Sequence, residues 1–146
     1  MFPQDYAHRI YSGYLQISWP DKKFHYMYAE RYNSLWRSQH DPANDPFILW
    51  LNGGPGCSSM LGFLYENGPF IFTQNTTNLT INPHSWNQYA NVMYLESPAS
   101  VGFSTYGSDY DLQYNDTTTA EDNLKALQLF FLKFPSLKRS DFYITG

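Results

Sequence analysis

Three features of this sequence predict an α/β fold built on a mostly parallel sheet with flanking helices. Two short runs, Phe47–Leu51 and Asn91–Leu95, are almost continuously apolar, the composition of strands buried on both faces. Leu124, Leu127, Phe131 and Phe134 recur at helical spacing between the second run and a third strand-like stretch, Asp141–Gly146. The first run stops on Asn52-Gly53-Gly54-Pro55-Gly56, and an amphipathic segment follows at once, the pattern of a strand, a tight turn and a helix start.

Taken in order, Tyr11–Ser18 alternates polar and apolar residues and reads as a strand. Trp19–Lys23 is a turn, and Phe24–Tyr32, with aromatics at or near alternate positions, is the return strand of an N-terminal β-hairpin. Ser38–Pro46 is a polar loop with two prolines. After the strand Phe47–Leu51, Ser58 or Ser59 caps a helix expected to run to about Asn67, where Gly68-Pro69 ends it. Asn75–Trp86 is a polar excursion, and Glu96–Tyr110 an irregular loop after the strand Asn91–Leu95. Thr118 and Glu121 fit a capping box for the next helix, which stops before Pro135. No internal boundary interrupts residues 1–146, so one domain is expected.

Composition narrows the function classes. Hydrophobic residues make up 42% of the chain and aromatics 19%, enough to bury a core. The net charge of -4 and the lack of a basic cluster argue against nucleic acid as a partner. No apolar run approaches the ~20 residues of a membrane span. Met1–Asp5 has neither the basic start nor the apolar stretch of a signal peptide. Asn75, Asn78 and Asn115 each begin an N-glycosylation sequon, which leans toward the secretory route. His8, His25, His40 and His84 show no metal-ligand spacing. Gly54–Ser59 imitates part of a dinucleotide fingerprint, but the last glycine is missing, and no Lys follows to hold a phosphate. Gly102–Tyr106 imitates a nucleophile elbow, but its closing glycine, Gly107, comes one residue late. Cys57 is the only cysteine, either a small buried residue or half of a disulfide with a partner outside this chain.

The glycine corner carries the chemistry. Glycine lets backbone N–H groups approach a substrate with no Cβ in the way. Carbonyl chemistry needs such donors where negative charge develops in the transition state.

The chain resembles the N-terminal part of the serine carboxypeptidase family, peptidases of the α/β-hydrolase fold. The resemblance is carried, in order, by Tyr11–Leu15, Pro46–Ser59, Glu66–Phe70, Asn82–Asn87, Glu96–Ser104, Thr119–Asn123 and Asp141–Gly146. It implies that Gly54 offers an oxyanion-hole N–H. It also implies that Trp50, Asn52, the Gly53 N–H and Glu66 hold the free C-terminal carboxylate of a peptide. Glu66 would lie near a second family carboxylate; crowded carboxylates share protons, so a protonated Glu66 would donate to the substrate and acidic pH would favour binding. Cys57 matches a family cysteine that pairs with a residue far downstream. Ser100 stands where the family usually has Gly, and a positive φ there would strain it. The implied compartment is the secretory pathway, lysosomal, vacuolar or extracellular.

The family continues past the position of Gly146 into Glu-Ser-Tyr-Ala-Gly, the nucleophile elbow, with Asp and His of the triad later still. Residues 1–146 alone are therefore expected to be inactive and, as half a sheet, poorly soluble. The implied parent reaction releases C-terminal amino acids through an acyl-enzyme, with no metal or organic cofactor. Acyl transfer to an alcohol, a catalytically dead binding protein and a truncated product remain alternatives.

Overall fold

In a computed structural model, residues 9–18, 20–31, 44–72, 78–107 and 115–146 are described. β1 (Ile10–Ser18) and β2 (Lys22–Ala29) form the expected antiparallel hairpin. β2 starts earlier than the aromatic pattern suggests, because the Gln16 amide braces the turn by donating to Ser18 O at 2.6 Å and Pro20 O at 3.2 Å. It also ends earlier, at Ala29, because the Arg31 N–H is taken by the Asn91 side chain at 2.9 Å. Trp19 and Tyr32 lie outside the described residues.

β3 (Phe47–Trp50), β6 (Asn91–Leu95) and β7 (Phe142–Thr145) supply the parallel part of the sheet. β4 (Phe70–Phe72) precedes, and β5 (Leu79–Ile81) lies inside, the polar excursion Asn75–Trp86, and the two form a separate small hairpin. The five-stranded sheet has the order β1-β2-β6-β3-β7. β1, β2 and β6 pair antiparallel, whereas β6, β3 and β7 pair parallel, so the hairpin makes the sheet mixed.

One sheet face packs against α1 (Asp116–Lys133). Phe130 is fully buried there, stacked on Phe47 at 5.4 Å and edge-on to Tyr26 and Tyr28, both at 5.3 Å. Lys22 pairs with Asp122 at 2.8 Å and clips the helix to the hairpin. The other face carries Val92, Tyr94, Ile48 and Trp50, covered by Phe63 and Phe70. β3 is therefore buried unequally: Phe47 and Leu49 are sealed beneath α1, while Ile48 and Trp50 are half-buried. β7 is the outer strand of the sheet, and Tyr143 and Ile144 are exposed.

The cap of α1 differs from the Thr118–Glu121 expectation. Asn115 is the N-cap: its Oδ1 accepts from Thr118 N at 2.9 Å, and Thr118 Oγ1 accepts from Asn115 N at 3.2 Å. The asparagine begins the helix one turn earlier and uses Thr118 as the reciprocal partner. The helix ends on Phe134, and Pro135 starts a short 3₁₀ turn, as the proline predicts.

Candidate active site

The strand register brings three loops to one rim. Trp50 pairs with Tyr94 on one side and Thr145 on the other, so β3, β6 and β7 end level with each other. From that rim run the glycine corner, the loop beginning at Glu96, and the last residue, Gly146, which lies against Leu51.

The corner is closed by a Cys57 N–H bond to Gly53 O at 3.2 Å. Gly54 has φ +132° and Gly56 φ +100°, conformations that L side chains rarely adopt. A Cβ on Gly54 would stand 3.0 Å from Gly56 N and 3.1 Å from Cys57 N, crowding the amides of the turn itself. Gly53, Gly54, Pro55, Gly56 and Cys57 are all exposed. Pro55 and Gly56 line an open cleft of about 540 Å³ together with Pro98, Val101, Asn115 and Thr119.

Beside the corner, Trp50, Asn52 and Glu66 form a continuous hydrogen-bonded chain. Trp50 Nε1 donates to Asn52 Oδ1 at 2.8 Å, and Asn52 Nδ2 donates to Glu66 Oε1 at 2.8 Å. Gly62 N donates to the same Asn52 oxygen at 3.1 Å. Glu66 is delivered by a segment that departs from the expected α-helix. Gly62–Glu66 is a single π-helical turn, because both the Asn67 and the Gly68 N–H groups converge on Gly62 O, at 3.0 and 3.1 Å.

Ser58 and Ser59 hold the corner to the sheet. Ser59 Oγ donates to Leu95 O at 2.6 Å and accepts from Asn52 N at 3.1 Å. Ser58 Oγ donates to the Glu96 carboxylate and also accepts from Met60 N at 3.2 Å, but the N-cap position of the π turn is Leu61, with no side-chain cap, so neither Ser58 nor Ser59 caps it as expected. Glu96 is fully buried. His25 Nδ1 lies 2.9 Å from its other oxygen, which also accepts from Phe103 N at 2.8 Å. Burial pushes the Glu96 carboxyl up, but the hydrogen bonds from His25, Ser58 and the Phe103 N–H, with the charge of His25, outweigh it and hold it below the usual carboxylate range. Gly102, at φ +56°, passes directly over this carboxylate, where a Cβ would overlap it.

The Ser58, Glu96 and His25 cluster has the residue types of a hydrolytic triad in the wrong order. The serine hydroxyl bonds the carboxylate and not the imidazole, so no imidazole is placed to take its proton. Ser104 is likewise committed: its Oγ is buried, donates to Glu96 O at 2.6 Å and accepts from His25 N at 2.8 Å. That is the structural role of the elbow look-alike at Gly102–Tyr106.

Of the sequence candidates, Trp50, Asn52, Gly53, Gly54 and Glu66 share one neighbourhood. Cys57 is exposed, with no disulfide partner among the described residues. Asn78 and Asn115 are exposed, and Asn75 lies outside the described residues. Ser100 does take a positive φ, +67°. In sequence His25 shows no metal-ligand spacing and Glu96 opens an irregular loop, so neither stands out. Their pairing spans 71 residues, and the one local signal was a glutamate directly after five apolar-strand positions. Among the described residues no cluster of His, Cys, Asp or Glu is arranged to hold a metal, and no helix is long and apolar enough to cross a membrane.

A family model described as serine carboxypeptidase matches residues 1–146. The lysosomal protective protein of Mus musculus is 50% identical over 138 residues, covering 94% of this chain and 27% of its own. Carboxypeptidase Y of Komagataella phaffii is 44% identical over 136 residues, covering 93% of this chain and 24% of its own. Among solved structures, a prohormone-processing carboxypeptidase from Saccharomyces cerevisiae superposes with a TM-score of 0.79, over 94% of this chain and 30% of that one. Its identity is 24%, so that likeness speaks for the fold. The chain thus spans about a quarter of the length of these curated relatives.

Proposed function

The chain belongs to the serine carboxypeptidase family, and from that membership we propose that the protein containing it releases single amino acids from the C-termini of peptides. The observation that carries this reading is the Trp50–Asn52–Glu66 chain beside the glycine corner. An exopeptidase must recognise an end, and a chain end presents a carboxylate. Asn52 Nδ2 and the Gly53 N–H are neutral donors suited to that group. Glu66, when protonated, adds a third donor; when ionised, it repels the substrate. The N–H of Gly54, an exposed residue, is then the donor for the oxyanion that forms at the scissile carbonyl.

Residues 1–146 are, in this reading, part of one α/β-hydrolase domain, and the nucleophile is supplied by chain outside them. The solvent-facing side of the corner is where the substrate carbonyl and the nucleophile meet. Cys57 pairs with a cysteine beyond this chain. The protein travels the secretory pathway, with glycans on Asn78 and Asn115. Asn115 spends its Oδ1 on the helix cap and leaves its amide nitrogen for the sugar.

The deciding experiment compares a peptide with a free C-terminus and the same peptide amidated. Release of the last residue from the free acid, with the amide turned over at least ~100-fold more slowly, is expected from the loss of a charged hydrogen-bonding group. Equal turnover of both, or cleavage inside the peptide, would overturn the reading.

A further inference from the structure

We propose that Glu96 is a positioning residue for the glycine corner, acting through Ser58. This rests on the reading above for what the corner does, but the mechanical claim stands on its own geometry. The corner leaves β3 at Leu51 and is exposed along Gly53–Cys57. An exposed turn of glycines has little packing to fix its amides. The ties that hold it run from its far end: Ser59 to the Leu95 carbonyl, and Ser58 to the Glu96 side chain.

These two ties differ in kind. Leu95 O belongs to the β6 backbone and is fixed by the sheet. Glu96 is a side chain, and its direction is set by three further contacts. His25 from β2 meets one oxygen at 2.9 Å, Phe103 N holds the same oxygen at 2.8 Å, and Gly102 leaves no Cβ that would push the carboxylate aside. His25 is in turn held by Ser12 Oγ at 2.9 Å on its other nitrogen, and lies against the rings of Tyr14 at 5.4 Å and Phe103 at 5.3 Å. A fully buried carboxylate is costly to maintain unless every acceptor is used. Here the acceptors are used on the strand side by His25 and on the corner side by Ser58. The result is a polar bridge from β2, through the loop after β6, to the turn after β3.

A group that orients oxyanion donors without touching substrate leaves a kinetic signature. Loss of the bridge lets the corner amides drift, which lowers kcat. The Trp50–Asn52–Glu66 chain is held separately by Gly62 N and by Ser59, so KM changes little.

The test uses Ser58→Ala and Glu96→Gln in the protein containing this chain, with two readouts. Amide hydrogen exchange at Cys57, whose N–H closes the corner on Gly53 O, is expected to speed up about 10-fold or more in both variants, as local opening becomes easier. With a free-acid peptide, kcat is expected to fall about 10- to 100-fold, in line with small misplacements of reacting groups, while KM stays within about 3-fold. Unchanged exchange and unchanged kcat in Ser58→Ala overturn the proposal, and that variant removes only a half-buried hydroxyl should Glu96→Gln fail to fold. A parent protein without peptidase activity would refute the functional reading instead, and the exchange result would still decide the role of Glu96.

Discussion

Asn52 Nδ2 donates to Glu66 Oε1 at 2.8 Å, closing a loop between residues fourteen positions apart. Asn52 sits just past the end of β3, and Glu66 is the last residue of the π-helical turn. The glycine corner lies between them in sequence. The residues proposed above to dock a carboxylate and to supply oxyanion donors thus come from one continuous piece of chain.

Replacing Asn52 with Ala removes the acceptor for Trp50 Nε1 and Gly62 N and the donor to Glu66. Each hydrogen bond to a charged group contributes about 1.5–3 kcal/mol. KM for a free-acid peptide should therefore rise about 10- to 100-fold. Steady-state kinetics on paired free-acid and amidated peptides will show the change only with the free acid.

Glu66→Gln keeps the shape and the contact to Asn52 but cannot become an anion. At neutral pH the variant should bind a free-acid peptide more tightly than the parent, because the repulsion between carboxylates is gone. KM for the free-acid peptide, measured at pH 7 in both proteins, checks this, and an unchanged or higher value in the variant would count against repulsion between the carboxylates.

The Glu96 carboxyl is held below its ordinary value, so the folded state binds that proton less readily than the unfolded chain. The sign follows from linkage. Stabilisation is complete above the unfolded carboxylate pKa, about 4.3, and is lost as pH falls through the lower folded value. The stability difference between the parent and Glu96→Gln, measured by urea unfolding, should be larger at pH 5 than at pH 3.

Gly102→Ala forces a Cβ into the Glu96 carboxylate and keeps an L residue at φ +56°. Overpacking and left-handed strain together should cost about 2–4 kcal/mol. The same unfolding titration reads this, and a loss under about 0.5 kcal/mol, the range of a neutral surface change, would contradict the packing described.

If Cys57 is paired in the intact protein, it will resist alkylation until a reductant is added. Its exposure in residues 1–146 makes a free thiol there readily labelled, so mass spectrometry of the peptide separates the two cases cleanly.

The strands β3, β6 and β7 were legible because each is a short apolar run bounded by turn residues, and α1 because its aromatics repeat at helical spacing up to a proline. The small hairpin β4–β5 was not, since its three-residue strands are mostly half-buried and carry no clear alternation. The π turn was not, because a five-residue segment is too short to reveal its period. The start of α1 was misplaced, because Thr118 with Glu121 fits a capping box in sequence whereas the folded backbone uses Asn115 with Thr118. In the site, the corner was legible from its glycines, and Trp50, Asn52 and Glu66, which lie together, were named through the family resemblance. The pairing of His25 with Glu96 was not legible, because a contact spanning 71 residues leaves no trace in local pattern.

The alignment of Trp50 with Tyr94 and Thr145 has a corollary for tolerated change. Strand length beneath that row is fixed by it. One residue added within β3 would turn the Trp50 indole to the opposite side of the sheet and raise the corner by roughly 3.3 Å. The donors would then stand more than a bond length too high above a ledge whose neighbouring strands had not moved.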